Sequence, residues 1–290
     1  VTASPTSDRL IADTAQRLAA AGVETPKLEA ELLLAHVLQV SRTAVMAGIH
    51  PPPTEAHLRS LEDLVVRRCT REPLAYLRGT QEFYGLSFKV SPAVLIPRPE
   101  TELLVEAVLT RFRAQHSHTP PVIADAGTGS GCIAVACAVH LPHAEIHAID
   151  ISQDALAVAR ANALQHRVAD RITFHHGDLL APLHGKAIEM IVSNPPYIAS
   201  EELTQLMPEV SRFEPKIALT PGSDPLSIYR RLAQQASRTL VTDGTLAVEV
   251  GAGQAQDVAE ILLRAGFASI ERRRDPAGIE RVVQAVWKQS

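Results

Sequence analysis

Four consecutive residues, Asn194-Pro195-Pro196-Tyr197, are the part of this 290-residue sequence best equipped for chemistry. They follow an apolar run at residues 188–193 that reads as a strand. The tetrad would therefore stand at the carboxyl end of a sheet, the edge where open α/β sheets bind ligands. Tandem prolines fix φ and remove two donors, leaving a rigid loop whose carbonyls can accept hydrogen bonds. A conjugated –NH2 group is a poor nucleophile because its lone pair is delocalised, and its two protons need partners. The side-chain oxygen of Asn194 and the carbonyl of Pro195 can take one proton each. They would hold the nitrogen in line with an electrophilic methyl and stabilise the charge it gains on attack. Tyr197 offers an aromatic wall for a flat substrate. The proton can leave after transfer, so no general base is required.

A second cluster supplies the partner for that chemistry. Asp125-Ala126-Gly127-Thr128-Gly129-Ser130-Gly131 follows an apolar strand and opens an apolar helix at Cys132. Glycines there let a ligand touch the backbone, and the free N–H groups at the helix start can hold a carboxylate. Asp150 closes the next strand, where an acid can accept from both ribose hydroxyls. Asp178, in Gly177-Asp178-Leu179 after the third strand, can accept from an adenine amino group. The spacing departs from the dinucleotide GxGxxG because the third glycine arrives one residue early. With no pyrophosphate to cradle, a nucleoside joined to an amino acid fits better, and S-adenosylmethionine, with S-adenosylhomocysteine as product, is that molecule. The competing readings make Asp150 the first residue of a helix and Asp178 a turn residue.

The elements that must position these loops follow from the pattern of the chain. Short β-rich runs at residues 122–126, 145–149, 171–175, 188–193 and 245–250 alternate with helical segments, which marks a parallel α/β sheet. Two further runs at 268–272 and 281–287 are separated only by a loop and should pair antiparallel. From Asp8 to about Arg78 the pattern is helical, with stripes at Leu32, Leu33, Leu34, Val37, Leu38 and at Leu58, Leu61, Leu64, Val65, parted by Pro51-Pro52-Pro53. Between them Phe83, Tyr84, Leu86, Phe88 and Val90 predict a short hairpin broken at Gly85. Three regions result: a helical substrate-docking domain at 1–80, a hairpin linker at 81–96 and a catalytic domain at 97–290.

Composition excludes other classes. The chain is 46% hydrophobic and 21% charged, as in ordinary globular proteins, and no stretch suits a membrane span. The first residues have neither the basic end nor the apolar run of a signal peptide, so a cytoplasmic address is expected. The three cysteines, Cys69, Cys132 and Cys137, form no CxxC pair and are read as small core residues. The twelve histidines show no ligand spacing, and no metal is expected. A formal charge of -4 gives no general basic surface for nucleic acid. A monomer is the default.

The tetrad alone does not choose among adenine, guanine or cytosine amino groups and glutamine side chains. Four segments carry a resemblance that does: Glu82-Phe83-Tyr84-Gly85-Leu86, Leu95-Ile96-Pro97-Arg98-Pro99-Glu100-Thr101-Glu102, the glycine loop, and Ile191-Val192-Ser193-Asn194-Pro195-Pro196-Tyr197. Across nearly its whole length the chain resembles the bacterial peptide-chain release factor glutamine N5-methyltransferases (PrmC/HemK family). The resemblance implies a class I S-adenosylmethionine-dependent methyltransferase fold, a Rossmann-like, mostly parallel seven-stranded sheet with a C-terminal antiparallel hairpin, behind a small all-α N-terminal domain. It implies cofactor contacts at Gly127, Thr128, Gly129, Ser130, Gly131, Asp150, Asp178, Leu179 and Asn194. Substrate contacts would run along Asn194, Pro195, Pro196 and Tyr197, with the glutamine of a Gly-Gly-Gln motif as acceptor. The front domain would help grip the release factor, and Arg98, Pro99 and Glu100 would lie near the cofactor. Leu179 stands where many members carry an aromatic residue, and Phe213-Glu214-Pro215 and Asp224-Pro225-Leu226 also depart from the usual pattern. A ribosomal-protein glutamine methyltransferase shares most of these motifs. A nucleic-acid amino-methyltransferase and a non-catalytic module of the same fold are more distant readings.

Overall fold

The computed structural model describes residues 6–113 and 119–288. They form two compact units: one comprises the N-terminal segment to Gly79 together with residues 207–213, the other residues 80–206 and the chain from Glu214 onward.

The first unit is helical. Its helices are α1 (Ser7–Ala20), α2 (Pro26–Leu38), α3 (Arg42–Met46), α4 (Glu55–Cys69) and α5 (Leu74–Arg78). Their starts are encoded locally: the Ser41 hydroxyl accepts from the Ala44 N–H, and Thr54 and His57 cap α4 reciprocally. Leu18, Leu33, Leu34, Leu61, Val65 and Leu77 fill the core. Cys69 is only half-buried against that core and donates weakly to the Arg17 carbonyl. The expectation that all three cysteines are core residues is corrected there, because Cys69 closes α4 at the rim, whereas Cys132 and Cys137 are buried. The segment 207–213 joins this unit through Glu209, which takes two bonds from the Arg71 guanidinium (2.6 and 2.7 Å) and one from Arg68 at 2.9 Å.

The second unit opens with an antiparallel hairpin, β1 (Thr80–Phe83) and β2 (Leu86–Lys89). Phe83 and Phe88 lock it into the core with α6 (Glu102–Arg113). A seven-stranded sheet follows: β3 (Val122–Ala126), β4 (Glu145–Asp150), β5 (Ile172–His176), β6 (Ile188–Ser193), β7 (Leu240–Glu249), β8 (Phe267–Arg274) and β9 (Glu280–Trp287), in the order β5-β4-β3-β6-β7-β9-β8. All neighbours pair parallel except β9, which is antiparallel to both β7 and β8. The predicted strands are recovered within a residue or two, save β7. It starts earlier because Ile188 already pairs with Leu240 before a register shift.

Period-two alternation sends side chains to two cores. Ile123, Met190, Val192 and Ala247 face α6 and α7 (Cys132–His140), a cluster that also takes Ala163 of α8 (Gln153–Gln165). Ala124, Ile191, Leu246 and Val248 face α10 (Ser227–Ala236) and α11 (Ala255–Arg264). The short α9 (Pro208–Phe213) belongs to the helical unit. No helix among the described residues is long and apolar enough to cross a membrane.

The strand order reverses between β3 and β6. The carboxyl ends of these adjacent strands form a topological switch point, where open α/β sheets leave a crevice for a ligand. The glycine loop leaves β3 and the Asn-Pro-Pro-Tyr tetrad leaves β6, so both predicted motifs arrive there together.

Candidate active site

A cavity of about 340 Å³ occupies the crevice, within the range of small-ligand sites. Its walls include Gly127, Thr128, Gly129 and Ser130 from the glycine loop, Asp150 and Ile151 after β4, Asp178 and Leu179 after β5, and Asn194 and Pro196 after β6. Gly131, Pro195 and Tyr197 do not line it, and their positions have separate reasons.

Gly127 and Gly129 hold φ at +74° and +54°, and a Cβ on either would meet no atom within 4 Å. The bare backbone faces open space there, as close approach by a ligand requires. Gly131 differs: at φ +79° its Cβ would sit 3.0 Å from the Ala159 Cβ. That glycine lets α8 pack against the loop. Its neighbour Asn162, fully buried on α8, donates to the Ser130 and Lys89 carbonyls at 2.8 and 3.0 Å and accepts from the Lys89 N–H at 2.7 Å. One satisfied amide thus ties the glycine loop to the hairpin strand β2, a role nothing in the local sequence announces.

Asp150 fixes the loop from the other side. Its Oδ2 accepts from the Gly129 N–H at 2.8 Å and its Oδ1 from the Ser152 N–H at 2.9 Å. Ser152, not Asp150, caps α8, accepting from the Ala155 N–H. Burial raises the Asp150 pKa against the pull of those two bonds. Each carboxylate oxygen keeps a second lone pair for a ligand hydroxyl. Asp178 is half-exposed and paired with Arg231, which also lines the cavity. Leu179, at φ +50°, packs partly into the core of α10 and α11.

Asp125, at the end of β3, is fully buried. Its Oδ2 accepts from the Thr128 hydroxyl at 2.6 Å and the Ala134 N–H at 3.2 Å, while its Oδ1 has no partner. Burial pushes its pKa up to about 7, and the nearby Asp150 charge adds to the rise.

The tetrad is braced from beneath. Ser193 donates to the Ala126 carbonyl at 2.7 Å, joining the roots of both loops. Asn194 Nδ2 donates to the Thr101 hydroxyl at 3.0 Å, and Thr101 donates to Glu249 Oε2 at 2.7 Å. Pro195 is buried. Tyr197 packs partly into the α10/α11 core, and its hydroxyl donates to Glu249 Oε1 at 3.4 Å. Burial, with the Glu249 charge beside it, raises the Tyr197 pKa. Glu249, 1% exposed at the end of β7, is pushed up to about 7 by burial.

Of the Ile-Pro-Arg-Pro-Glu-Thr-Glu run, Pro97, Arg98 and Thr101 reach the cavity, and Pro99 and Glu100 do not. Arg98 pairs with buried Glu214, whose other oxygen accepts from the Ile96 N–H. Thr101 ends a 3-10 turn (Pro99–Thr101), and α6 follows directly from Glu102. Thr101, Asn162, Glu249 and the Arg231 partner of Asp178 are absent from the sequence-based site, because only the fold brings them to it.

Comparison with known proteins places this geometry. The family model described as the PrmC N-terminal domain matches residues 9–79, and the methyltransferase small domain matches residues 99–211. The release factor glutamine methyltransferase of Geobacter sulfurreducens is 44% identical over 266 residues, covering 92% of this chain and 91% of that one. The protein of the same name from Moorella thermoacetica is 44% identical over 272 residues, covering 93% and 95%. Among solved structures, a ribosomal protein L11 methylase from Lactobacillus delbrueckii subsp. bulgaricus aligns with TM-score 0.50 at 22% identity, over 72% of this chain and 90% of that one. The N-terminal domain of human METTL16 in complex with SAH aligns with TM-score 0.52 at 18% identity, over 71% and 77%. These last two share the class I methyltransferase fold. Identity sustained over nine-tenths of each chain decides the rest: this chain belongs to the release factor glutamine methyltransferase family.

Proposed function

We propose that this enzyme transfers a methyl group from S-adenosylmethionine to the side-chain amide nitrogen of the glutamine in the Gly-Gly-Gln motif of peptide-chain release factors. The observation that carries the reading is that Asn194 and the glycine loop line one cavity at the switch point of the sheet. The cavity fits the cofactor on three grounds. The open backbone at Gly127 and Gly129 suits close contact with an amino-acid tail, Asp150 offers lone pairs to ribose hydroxyls, and Asp178 and Leu179 offer an acceptor and an apolar surface to an adenine. When bound, the cofactor supplies an electrophilic methyl on a sulfonium.

The chain's own residues do the rest. Asn194 commits its amide nitrogen to Thr101, which leaves its oxygen as the end offered to substrate. That oxygen and the Pro195 carbonyl each accept one N–H of the glutamine amide and fix the nitrogen in the attacking orientation. As the nitrogen loses its conjugation and gains charge, the two fixed oxygens stabilise it without reorganising. Pro196 holds the loop rigid. Tyr197 braces the loop from its anchored hydroxyl and presents part of its ring to the planar amide. The proton then leaves to solvent.

The helical unit serves as the docking surface for the release factor and the 81–96 segment as its link to the catalytic domain. The enzyme works in the cytoplasm, where its substrate acts. Incubation with labelled methyl donor and separate acceptors (release factor, ribosomal protein, DNA, RNA), followed by mass spectrometry of the modified residue, tests the proposal. Label should appear on the Gly-Gly-Gln glutamine. Label confined to ribosomal protein or nucleic acid overturns it.

A further inference from the structure

Beneath the tetrad lies a buried chain of side chains from three distant parts of the sequence. Asn194 follows β6, Thr101 lies in the turn before α6, and Glu249 ends β7. Thr101 is 2% exposed and Glu249 1%, so water does not compete for their bonds. The proton count along the chain has one solution when Glu249 is ionised. A carboxylate only accepts, so the single Thr101 proton goes to Glu249 Oε2, 2.7 Å away. The Thr101 oxygen can then only accept from Asn194, 3.0 Å away, and the amide end nearest Thr101 must be the NH2. An asparagine amide is otherwise close to symmetric in shape, and a flipped Asn194 would present two N–H donors to a substrate that is itself a donor.

We propose that Thr101 and Glu249 are positioning residues that select the Asn194 amide orientation in which its oxygen, not its nitrogen, faces the substrate amide. Neither residue needs to touch substrate. The inference rests on the reading of Asn194 as the acceptor for the glutamine N–H, and deepens it by naming what keeps that acceptor pointing the right way. Tyr197 supports the same carboxylate from the other side, through Oε1 at 3.4 Å. The Tyr229 hydroxyl holds the Glu249 backbone carbonyl at 2.9 Å, which pins the end of β7.

The geometry also predicts a pH signature. Protonated Glu249 can donate to Thr101, whose own proton is then released toward Asn194 and favours the flipped amide. The groups bearing on Glu249 are Thr101, the Tyr197 and Tyr229 hydroxyls, Glu100, Arg281 and the buried Cys132 thiol, which burial keeps protonated through the neutral range. Only the carboxyl itself changes charge near neutrality among the side chains bonded to it.

The test is steady-state methylation of a release factor by the full chain, with cofactor affinity measured by calorimetry. Thr101→Val keeps the shape but removes the hydroxyl, and should lower kcat about tenfold or more while cofactor affinity stays within about twofold, the pattern of a lost orientation rather than lost binding. Thr101→Ser should restore most of the rate. If Thr101→Val melts too readily to assay, Glu249→Gln decides: the wild-type kcat should rise with pH through the neutral range, and this variant should lose that step. Thr101→Val turning over within about twofold of wild type, while Asn194→Ala is inactive, overturns the positioning role and leaves the Asn194 reading standing. A Glu249→Gln profile that keeps the wild-type pH step overturns it equally. Full activity in Asn194→Ala would instead remove the reading on which the inference rests.

Discussion

Asp150 does two jobs with one carboxylate, and their separation is measurable. It anchors the Gly129 and Ser152 N–H groups and keeps lone pairs turned to the cavity. Asp150→Ala should therefore weaken S-adenosylmethionine binding by about 1.5–3 kcal/mol, the range for hydrogen bonds to a charged group, or roughly ten- to a hundredfold. Calorimetry giving wild-type affinity would make Asp150 a purely structural brace. At this scale the sequence was most informative where the candidate site is built from contiguous residues. The tetrad and the glycine loop are each a single run, so their register with the strands could be counted. Glu249 could not be found that way, since it meets Thr101 across 148 residues and is flanked by ordinary strand residues. Tyr197 was expected to offer an aromatic wall to the substrate; the bond from its hydroxyl to Glu249 and the partial packing of its ring in the core could not be read from the sequence.

The elements explain why similar residues have different tolerances. Gly127 and Gly131 share positive φ, but only Gly131 has a helix against it. Gly131→Ala should cost about 1–3 kcal/mol of stability from overpacking against Ala159, added to the left-handed strain, and thermal melting should show it. An unchanged melting temperature would mean that α8 shifts freely, against the close approach seen. In the helical unit, Arg68 and Arg71 converge on Glu209 from the 207–213 segment. Glu209→Ala removes this partner from both guanidinium groups, but Arg68 keeps Glu29 and Arg71 keeps the Gly22 carbonyl, so urea unfolding should report a loss of about 1.5–3 kcal/mol, the range for hydrogen bonds to a charged group. A loss below about 1 kcal/mol would show that the pair behaves like a solvated surface bridge. The strands and helices themselves were legible because alternation and helical stripes are local signals. The inclusion of residues 207–213 in the helical unit was not, because it depends on one glutamate finding two arginines far back in the chain.

Across the whole molecule, two buried acids store free energy that pH can release. Burial holds Glu249 and Asp125 at about 7, above their ordinary values of 4.5 and 3.8. The folded state therefore binds more protons than the unfolded one between those limits. The contribution of Glu249 is fully present below about pH 4.5 and is lost as pH rises through about 7. Glu249→Gln carries no such proton, so its stability relative to wild type should improve from pH 5 to pH 8 in paired urea titrations; a constant difference would mean that Glu249 is ionised throughout. The parallel strand runs and the terminal hairpin were legible as local patterns, and the seven-stranded class I sheet they build was expected from the family resemblance. It could not show how buried polar groups are shared, which only packing decides. The proposed hold of the Asn194 oxygen on the substrate nitrogen is measured by single-turnover methylation of a release factor by Asn194→Ala, with cofactor affinity taken on the same sample. The rate should fall by about two orders of magnitude or more with cofactor binding largely retained; a near-wild-type rate would strip Asn194 of that role.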